Sequence, residues 1–399
     1  MASFKHEIYA VFFAFSLFSA TLPSPADADS INPQLFGQCV WDGTHDVAPC
    51  IQAAINSAAL KSGIVHIPHG TWELGQAVAI AANVTIEGDS EGTILKPAAG
   101  NQSNPVLLKG DWKAANVLVK GIAFDGGGQD YIESYPVIAV TTGASVVFDG
   151  VTVQNTNGIG LLLQGGTHHS GVRNSVFVNL GNHWKTTLQR KDRIQGLVFC
   201  CGKGNKNNFS IGNYFKDIGL DALQISDQNG FVATDNNLDL ENDQRALVSS
   251  PDYAAGIFLM YSRNVTIARN VIHSAQGNGI DAPGLQHSTI SNNTIADSGC
   301  AGIGLFLGYD KKTQTTGVLV SDNNIADSGR WNACTFKCGI VISGGTAVDV
   351  TSSHNTVTNT RPDKAASPCG HASIIVVKKK GTSHGFNPLT RASCGEPGT

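Results

Sequence analysis

Two consecutive segments of equal length decide the fold: residues 256–278 read GIFLMYSRNVTIARNVIHSAQGN, and residues 279–301 read GIDAPGLQHSTISNNTIADSGCA. Each segment opens on Gly-Ile, and each carries an Asn two residues before an Ile, which is Asn270 in the first and Asn293 in the second. The step from Gly256 to Gly279 equals the step from Asn270 to Asn293. A fixed period of this size indicates a repeat architecture.

The same two columns extend over most of the chain. The Gly column comprises Gly158, Gly196, Gly219, Gly256, Gly279, Gly302 and Gly339. The Asn column comprises Asn174, Asn213, Asn236, Asn270, Asn293, Asn323 and Asn355. No two neighbouring members of a column lie closer together than Gly256 and Gly279 do. We therefore interpret this shortest interval as the basic unit and the longer intervals as units with insertions.

Composition favours short strands joined by tight turns. The chain of 399 residues has 45 Gly, and only 15% of its residues are charged, against ~25% in ordinary globular proteins. Short strands whose alternate residues point inward can stack coil upon coil, so that each coil covers the apolar interior of the next. Asn in the left-handed region at a corner can form a hydrogen-bonded ladder. The sequence therefore predicts an all-β protein, a single-stranded parallel β-helix.

A capping helix is predicted before the first coils. Val47, Ile51, Ala54, Ile55 and Ala58 fall on one helical face. Asp46 is a plausible N-cap and Gly63 a plausible C-terminal stop. Such a helix would cover the open end of the first coil and protect its strand edge.

The capping region carries a family resemblance. It reads Asp42-Gly-Thr-His-Asp46, then Ile51-Gln-Ala-Ala-Ile55, then Pro68-His-Gly-Thr-Trp72. This pattern resembles the start of the pectate-lyase-superfamily (pectin-lyase-like) proteins, with Trp72 where Tyr is common. The resemblance implies a right-handed parallel β-helix and a secreted, polysaccharide-active enzyme: a lyase, a hydrolase or an epimerase. The Asp-Pro-His of mannuronan epimerases and the Gly-His-Gly of polygalacturonases are absent, so the resemblance does not choose among these chemistries.

The N-terminus predicts secretion. Residues 1–28 have a weakly basic start, an apolar stretch and the small-x-small site Ala26-Asp-Ala28, as a signal peptide does. We expect the β-helix domain over 29–399, with a cap at about 38–75, coils at about 76–380 and a tail at about 381–399. Nine Cys in a secreted chain indicate disulfides plus one further thiol, and Cys39 and Cys50 could close a short segment. A net charge of -4 and the lack of another long apolar run predict no nucleic-acid or membrane partner, and we expect a monomer.

Insertion lengths predict a cleft. The stretch from an Asn of one column to the next Gly of the other is long at residues 174–196, 236–256 and 323–339. It is short at residues 213–219, 270–279 and 293–302. Long loops at one corner stack into walls, so gaps are expected at the coils with short connections, and function tends to sit on such loops.

Two carboxylates fall in these gaps. The residue after Gly-apolar should point outward, and that predicted column is Gly160, Val198, Asp221, Phe258, Asp281, Gly304 and Val341. Asp221 and Asp281 would then lie two coils and roughly 10 Å apart. Either could also be an ordinary turn Asp.

The two loop walls differ in charge. The first carries His183, Trp184, Lys185, Arg190, Lys191 and Arg193, and the second carries Asp239, Glu241, Asp243, Arg245, Asp252 and Tyr253. The basic wall suits a chain of uronic acids, with Arg190, Lys191 and Arg193 on sugar carboxylates and Trp184 stacked on a ring; Phe258 and Phe306 would add substrate contacts. The acidic wall could instead hold Ca²⁺.

Three functions remain open at this point. In a lyase, His183, Lys185, Arg245 or Tyr253 would remove a sugar proton while Asp221 and Asp281 hold calcium or orient the base, and this is the function we predict. In an inverting hydrolase, Asp221 and Asp281 would be the acid and base. A non-catalytic glycan-binding protein would use an aromatic strip, for example Trp112, Trp184, Phe258, Phe306 and Trp331.

Overall fold

Short strands separated by sharp corners stack into three long parallel sheets in the computed structural model. The structure describes residues 30–99, 106–128, 136–181, 195–241, 254–330, 334, 338–343, 347–358 and 374–377. Successive strands pass from one sheet to the next and return to the first one coil later, and the paired strands run parallel. This is the predicted parallel β-helix.

The helices are a 3-10 turn over Pro33–Leu35 and α1 over Ala48–Ala59. In chain order the strands are β1 (Ser30–Ile31), β2 (Ile64–Ile67), β3 (Gly70–Leu74), β4 (Val78–Ala79), β5 (Thr85–Gly88), β6 (Thr93–Pro97), β7 (Leu108–Gly110), β8 (Ala115–Lys120), β9 (Ile122–Asp125), β10 (Ile138–Thr141), β11 (Ala144–Asp149), β12 (Thr152–Thr156), β13 (Leu161–Gln164), β14 (Gly171–Arg173), β15 (Val176–Leu180), β16 (Leu197–Cys200), β17 (Phe209–Ile211), β18 (Tyr214–Ile218), β19 (Leu223–Ser226), β20 (Val232–Thr234), β21 (Asn237–Asp239), β22 (Ile257–Met260), β23 (Thr266–Ala268), β24 (Val271–His273), β25 (Ile280–Pro283), β26 (Thr289–Ser291), β27 (Thr294–Ala296), β28 (Ile303–Phe306), β29 (Thr315–Thr316), β30 (Leu319–Ser321), β31 (Asn324–Ala326), β32 (Ile340–Ser343), β33 (Ala347–Val348), β34 (Thr351–Ser353), β35 (Thr356–Thr358) and β36 (Ile374–Val377).

Three sheets form the walls of the coil. Sheet 1 has the order β1-β2-β5-β8-β11-β14-β17-β20-β23-β26-β30-β34, sheet 2 has β3-β6-β9-β12-β15-β18-β21-β24-β27-β31-β35, and sheet 3 has β4-β7-β10-β13-β16-β19-β22-β25-β28-β32-β36. The strands β29 and β33 form a separate pair.

Inward side chains fill the interior with apolar volume. Large Phe side chains are completely buried, and some touch across neighbouring coils: the ring centroids of Phe177 and Phe215 lie 4.9 Å apart and nearly parallel. Burial of a Phe contributes roughly 1.5–3 kcal/mol. The interior therefore stabilises the stack along its whole length, and this leaves the outer faces of the sheets free to vary.

The cap is formed as predicted. Helix α1 buries Ile51, Ala54 and Ile55 against the first coils. The N-cap residue of the helix is Val47, one position after the predicted Asp46. The Oδ1 atom of Asp46 nevertheless accepts a hydrogen bond from the backbone N of Ala48 at 2.9 Å, and so caps the helix start. The helix covers the end of the solenoid.

The Asn column is a buried ladder with one change from the prediction. The Oδ1 atom of each Asn accepts a hydrogen bond from the backbone N of its counterpart one coil earlier, at 3.0–3.1 Å, along Asn213, Asn236, Asn270, Asn293, Asn323 and Asn355. The first rung is Ser175 and not Asn174. The left-handed conformation also falls one position earlier than predicted, on the residue before each ladder Asn, such as Arg269.

The Gly column needs correction at two coils. Strand pairing aligns Leu161, Leu197, Leu223 and Ile257, so the column passes through Gly160 and Ala222. The predicted members Gly158 and Gly219 lie outside it. At Gly279 the space is tight, because an added Cβ would lie 2.7 Å from the carbonyl oxygen of Gly302 on the next coil.

Disulfides join three described cysteine pairs. Cys39 bonds Cys50 beside the cap, Cys200 bonds its neighbour Cys201, and Cys300 bonds Cys334. Cys338 is also disulfide-bonded. Within the described residues, no helix has the length and apolar character needed to cross a membrane. The predicted signal peptide lies outside the described residues.

Candidate functional site

The connections from sheet 2 to sheet 3 alternate in length as the sequence predicts. The short ones are residues 219–222, 274–279 and 297–302, and the long ones are 181–196, 240–256 and 327–339. The candidate residues His183, Trp184, Lys185, Arg190, Lys191, Arg193, Arg245 and Tyr253 belong to long connections and lie outside the described residues, as do Asp243 and Asp252. What the structure does define is the outer face of sheet 3 beside these connections.

One outward column runs along the centre of that face. From the cap onward it consists of Ala79, Lys109, Ala139, Leu162, Val198, Gln224, Phe258, Asp281, Gly304 and Val341. Asp281 stands in the predicted position, directly between Phe258 and Gly304. It is the one carboxylate among these described positions.

Aromatic rings surround Asp281. Phe258 precedes it in the column, and its ring stacks on Tyr309 with centroids 6.2 Å apart. Phe306 turns its ring over Gly304, since a Cβ on that glycine would collide with the ring. Phe258 and Phe306 are half-buried, Tyr309 is exposed, and Asp281 keeps only 4% of its surface exposed. Asp281 is therefore an almost fully buried carboxyl group that lies between the partly exposed rings of Phe258 and Phe306.

The placement of Asp221 in this column is wrong. Because Leu223 pairs with Leu197 and Ile257, Gln224 occupies the outward position and Asp221 lies three positions earlier, at the corner entering β19. The side chain is 4% exposed, and its Oδ1 atom accepts a hydrogen bond from the backbone N of Ala255 at 2.8 Å. Burial raises the pKa of Asp221 to about 7, and that hydrogen bond only partly opposes the rise.

A second corner residue makes the same contact as Asp221. The Oδ1 atom of Asn278 accepts a hydrogen bond from the backbone N of Ala301 at 2.9 Å, two coils further along. Asp221 therefore fills a supporting position at the corner, while Asp281 lies on the strand face. The two carboxylates therefore do not share the outward column in which the sequence placed them.

The sequence analysis did not predict the side-chain amides of Gln195 and Gln224 beside this face. Gln224 accepts a hydrogen bond on its Oε1 atom from Nε2 of Gln195, at 2.9 Å, and donates from its own Nε2 to Oγ of Ser226, at 3.1 Å. An alignment of Leu223 with Leu197 in the sequence would have placed Gln224 in the outward column, next to Val198. Two residues after the column, Cys200 on β16 and Ser226 on β19 occupy the next outward positions of their strands. Gln224 is half-buried, whereas Gln195 and Ser226 keep only 6% and 1% of their surface exposed, so Gln224 is the main hydrogen-bonding group that this edge offers to a sugar hydroxyl.

A candidate metal-binding group lies on sheet 2 instead. Ligand atoms of Asp239, Glu241 and His273 lie within 4.8 Å of one another, and the hydroxyl of Tyr214 donates to Oδ2 of Asp239 at 3.4 Å. Calcium takes six to eight oxygen ligands, whereas an imidazole with carboxylates suits transition metals. The described residues therefore do not match the calcium set that the acidic wall suggested.

The chain resembles known proteins in fold. The family model described as "Right handed beta helix region" matches residues 244–382. Among solved structures, the A-module of the Azotobacter vinelandii mannuronan C-5 epimerase AlgE6 is 19% identical, with a TM-score of 0.58, over 88% of this chain and 100% of that one. The Streptococcus pneumoniae surface adhesin PfbA is 15% identical, with a TM-score of 0.61, over 91% and 95%. The catalytic unit of a GH87 α-1,3-glucanase from Streptomyces thermodiastaticus is 14% identical, with a TM-score of 0.58, over 88% and 66%.

No curated protein matches the sequence. At these identities the structural likeness concerns the fold. It confirms the right-handed parallel β-helix that the capping motif implied.

Proposed function

We propose that this protein is a secreted polysaccharide-active enzyme that cleaves a uronic-acid chain by β-elimination on the outer face of sheet 3. The observation that supports this best is the position of Asp281. It is an outward carboxylate between Phe258 and Phe306, on a coil whose connection is short while longer connections flank the face. A sugar chain lying along the face would meet rings, amides and one carboxylate.

The chemistry assigns distinct tasks to the residues. A base takes the proton from C5; the C5–H electron pair forms a double bond to C4, and the C4–O bond to the leaving sugar breaks with a proton delivered to that oxygen. Negative charge develops next to the sugar carboxylate, so cations must neutralise it. We assign the base to His183, Lys185, Arg245 or Tyr253 and the cations to Arg190, Lys191 and Arg193, with Trp184 stacking on a ring. Asp281 would orient that base.

Two comparisons bear on this assignment. One structural relative is named a mannuronan C-5 epimerase, and its name places its reaction at the same carbon from which an elimination removes a proton. Another is named a glucanase, which supports carbohydrate action on this scaffold but not a particular bond-breaking step. Asp221 stands outside the column, and this geometry argues against a hydrolase using Asp221 and Asp281.

A non-catalytic glycan-binding protein is the second candidate. Asp221 and Asp281 are each only 4% exposed, so both carboxyl groups lie low in the surface. A protein that only binds sugar would use Phe258, Phe306 and Tyr309 as its contact surface and need no accessible acid. One relative of this fold is named an adhesin.

Incubation with a panel of acidic and neutral polysaccharides separates these functions. Ultraviolet absorbance of an unsaturated product identifies elimination, and new reducing ends without absorbance identify hydrolysis. Retention on a glycan column with neither signal identifies a binding protein. Asp281→Asn should abolish the absorbance, while Asp322→Asn, a matched change at an exposed corner residue, should leave it unchanged. Full activity in Asp281→Asn would overturn the assignment.

A further inference from the structure

A cavity of about 680 Å³ lies at the cap end of sheet 3, far from Asp281. Its floor is the start of the outward column, where the small side chains of Ala79 and Ala139 stand on either side of Lys109. Gln52 and Asn56 of α1 form one wall. Because alanine leaves the strand surface low on both sides of Lys109, the floor can accept a flat ligand lying across the strands.

Cations dominate the rim of this cavity. Lys109 and Lys113 both line it and are exposed, and neither forms an ion pair with a carboxylate of the described residues. Among the described residues that line the cavity, the acidic one is Asp111, whose Oδ1 atom accepts a hydrogen bond from the backbone N of Lys113 at 2.8 Å. That carboxylate is engaged by its own turn, so the cavity presents a net positive edge.

An exposed tryptophan stands in the same turn. Trp112 is 71% exposed, and the Nζ atom of Lys113 lies 5.3 Å from its ring centroid. The other described tryptophans behave differently, since Trp41 and Trp72 pack edge to face within the cap region at 4.9 Å. The exposed Trp112 ring and the Lys113 ammonium therefore lie together at the edge of the cavity.

The cavity is separate from the Asp281 region. Between them the outward column passes through Leu162 and Val198, which are 8% and 2% exposed and cluster with Ile159 and Cys200. Six strand steps separate Lys109 from Asp281, or roughly 29 Å at ~4.8 Å per step. Buried apolar side chains therefore interrupt the polar surface, and the two regions can be tested independently.

We propose that this cap-end cavity is a second binding site, for an acidic oligosaccharide. Trp112 would stack on the apolar face of a sugar ring, and Lys109 and Lys113 would pair with uronate carboxylates. The chain's net charge of -4 argues against nucleic acid as the anionic ligand. The proposal rests on the protein's action on acidic glycans but not on the catalytic residues. Such a site would hold one part of the polysaccharide while a distant part of the same polysaccharide reaches Asp281.

Calorimetric titration of the full chain carrying Asp281→Asn tests the site without consuming the ligand. The probes are a hexagalacturonate and a neutral hexasaccharide, cellohexaose. The variants are Lys109→Gln/Lys113→Gln and, separately, Trp112→Ala. The control is Lys61→Gln/Lys206→Gln, which removes the same charge from exposed positions elsewhere.

We expect the hexagalacturonate to bind and cellohexaose to bind at least tenfold more weakly. The Lys109/Lys113 variant should lose affinity about tenfold or more, Trp112→Ala about fivefold, and the control should match its parent. Equal binding of the neutral sugar, no binding by the parent, or unchanged affinity in both site variants would overturn the proposal. Preference for an oligonucleotide over the uronate would also overturn it. Binding that depends on Lys109 in a protein that cleaves no polysaccharide would refute the proposed enzyme while supporting this site.

Discussion

Asp221 and Asn278 make the same hydrogen bond two coils apart, each accepting on Oδ1 from the backbone N of the next coil's Ala. The amide does this without burying a charged group. The carboxylate must be desolvated, and burial raises its pKa from 3.8 to about 7. Because equivalent corners have Asp in one coil and Asn in another, replacing each by the other measures what a carboxyl group costs at this position.

Asp221→Asn should remove a pH dependence of stability. The folded protein holds the Asp221 proton up to about pH 7, while the unfolded chain releases it near pH 3.8. This contribution to the free energy of unfolding is therefore complete below pH 3.8 and is lost as the pH rises to about 7, by at most about 4 kcal/mol. In urea unfolding from pH 4 to 8, the variant should lose less stability than the wild type and be the more stable at pH 8. Parallel profiles would contradict this.

Asn278→Asp should show the opposite behaviour. It places a carboxyl group at a buried corner where the structure has an amide, so we expect a loss of about 2–4 kcal/mol at pH 8 that shrinks towards pH 4. Asn324→Asp, at an exposed strand position, serves as the control and should change stability by less than about 0.5 kcal/mol. A loss at Asn278 that stays constant with pH would indicate a steric cause instead.

Removing one rung of the Asn ladder should destabilise the whole solenoid. In Asn270→Ala, the backbone N of Asn236 loses its acceptor and the carbonyl of Ala233 loses its donor, both in buried positions. Each such group costs about 1–3 kcal/mol, so we expect a loss of about 2–4 kcal/mol in denaturant unfolding. The exposed Asn237→Ala should cost far less. A difference of under about 1 kcal/mol between the two would argue that the ladder is not important for stability.

Gly304→Ala should weaken polysaccharide binding through Phe306. An added Cβ cannot coexist with the present ring position, and the ring, as a movable side chain, would turn away from the face. We expect about tenfold weaker binding with little loss of melting temperature. In a double-mutant cycle, Gly304→Ala should have no further effect on binding in a Phe306→Ala background. Additive effects would show that the ring is not the intermediary.

The repeat could be predicted from the sequence at positions where contacts with the neighbouring coils restrict which residue fits. At Gly279 an added Cβ would lie 2.7 Å from the carbonyl oxygen of Gly302. The side-chain amide of Asn270 accepts a hydrogen bond from the backbone N of Asn236 and donates one to the carbonyl of Ala233. Both residues therefore appear plainly in the sequence.

The prediction failed where a coil has a different residue at the corresponding position. Ala222 stands in the Gly column, and this shifted the reading of its coil by three positions and placed Asp221 on the strand face. Ser175 similarly replaces Asn at the first rung. Burial of Asp221 was also invisible, because depth depends on neighbouring coils that are distant in sequence. Asp281 was placed correctly because its coil is of the shortest kind and carries no insertion to shift the reading.

The side chain of Gln52 has a consequence for assembly. Its Oε1 atom accepts from the backbone N of Ala79 at 2.7 Å, and its Nε2 atom donates to the carbonyl of Ala79 at 3.1 Å. A bare terminal coil would be a growth face, on which another chain could add strands and build a filament without limit. Gln52 occupies the hydrogen-bonding groups that an incoming strand would need on Ala79. The side-chain amide of Gln52 on the capping helix thereby helps to prevent end-to-end assembly of the β-helix into filaments.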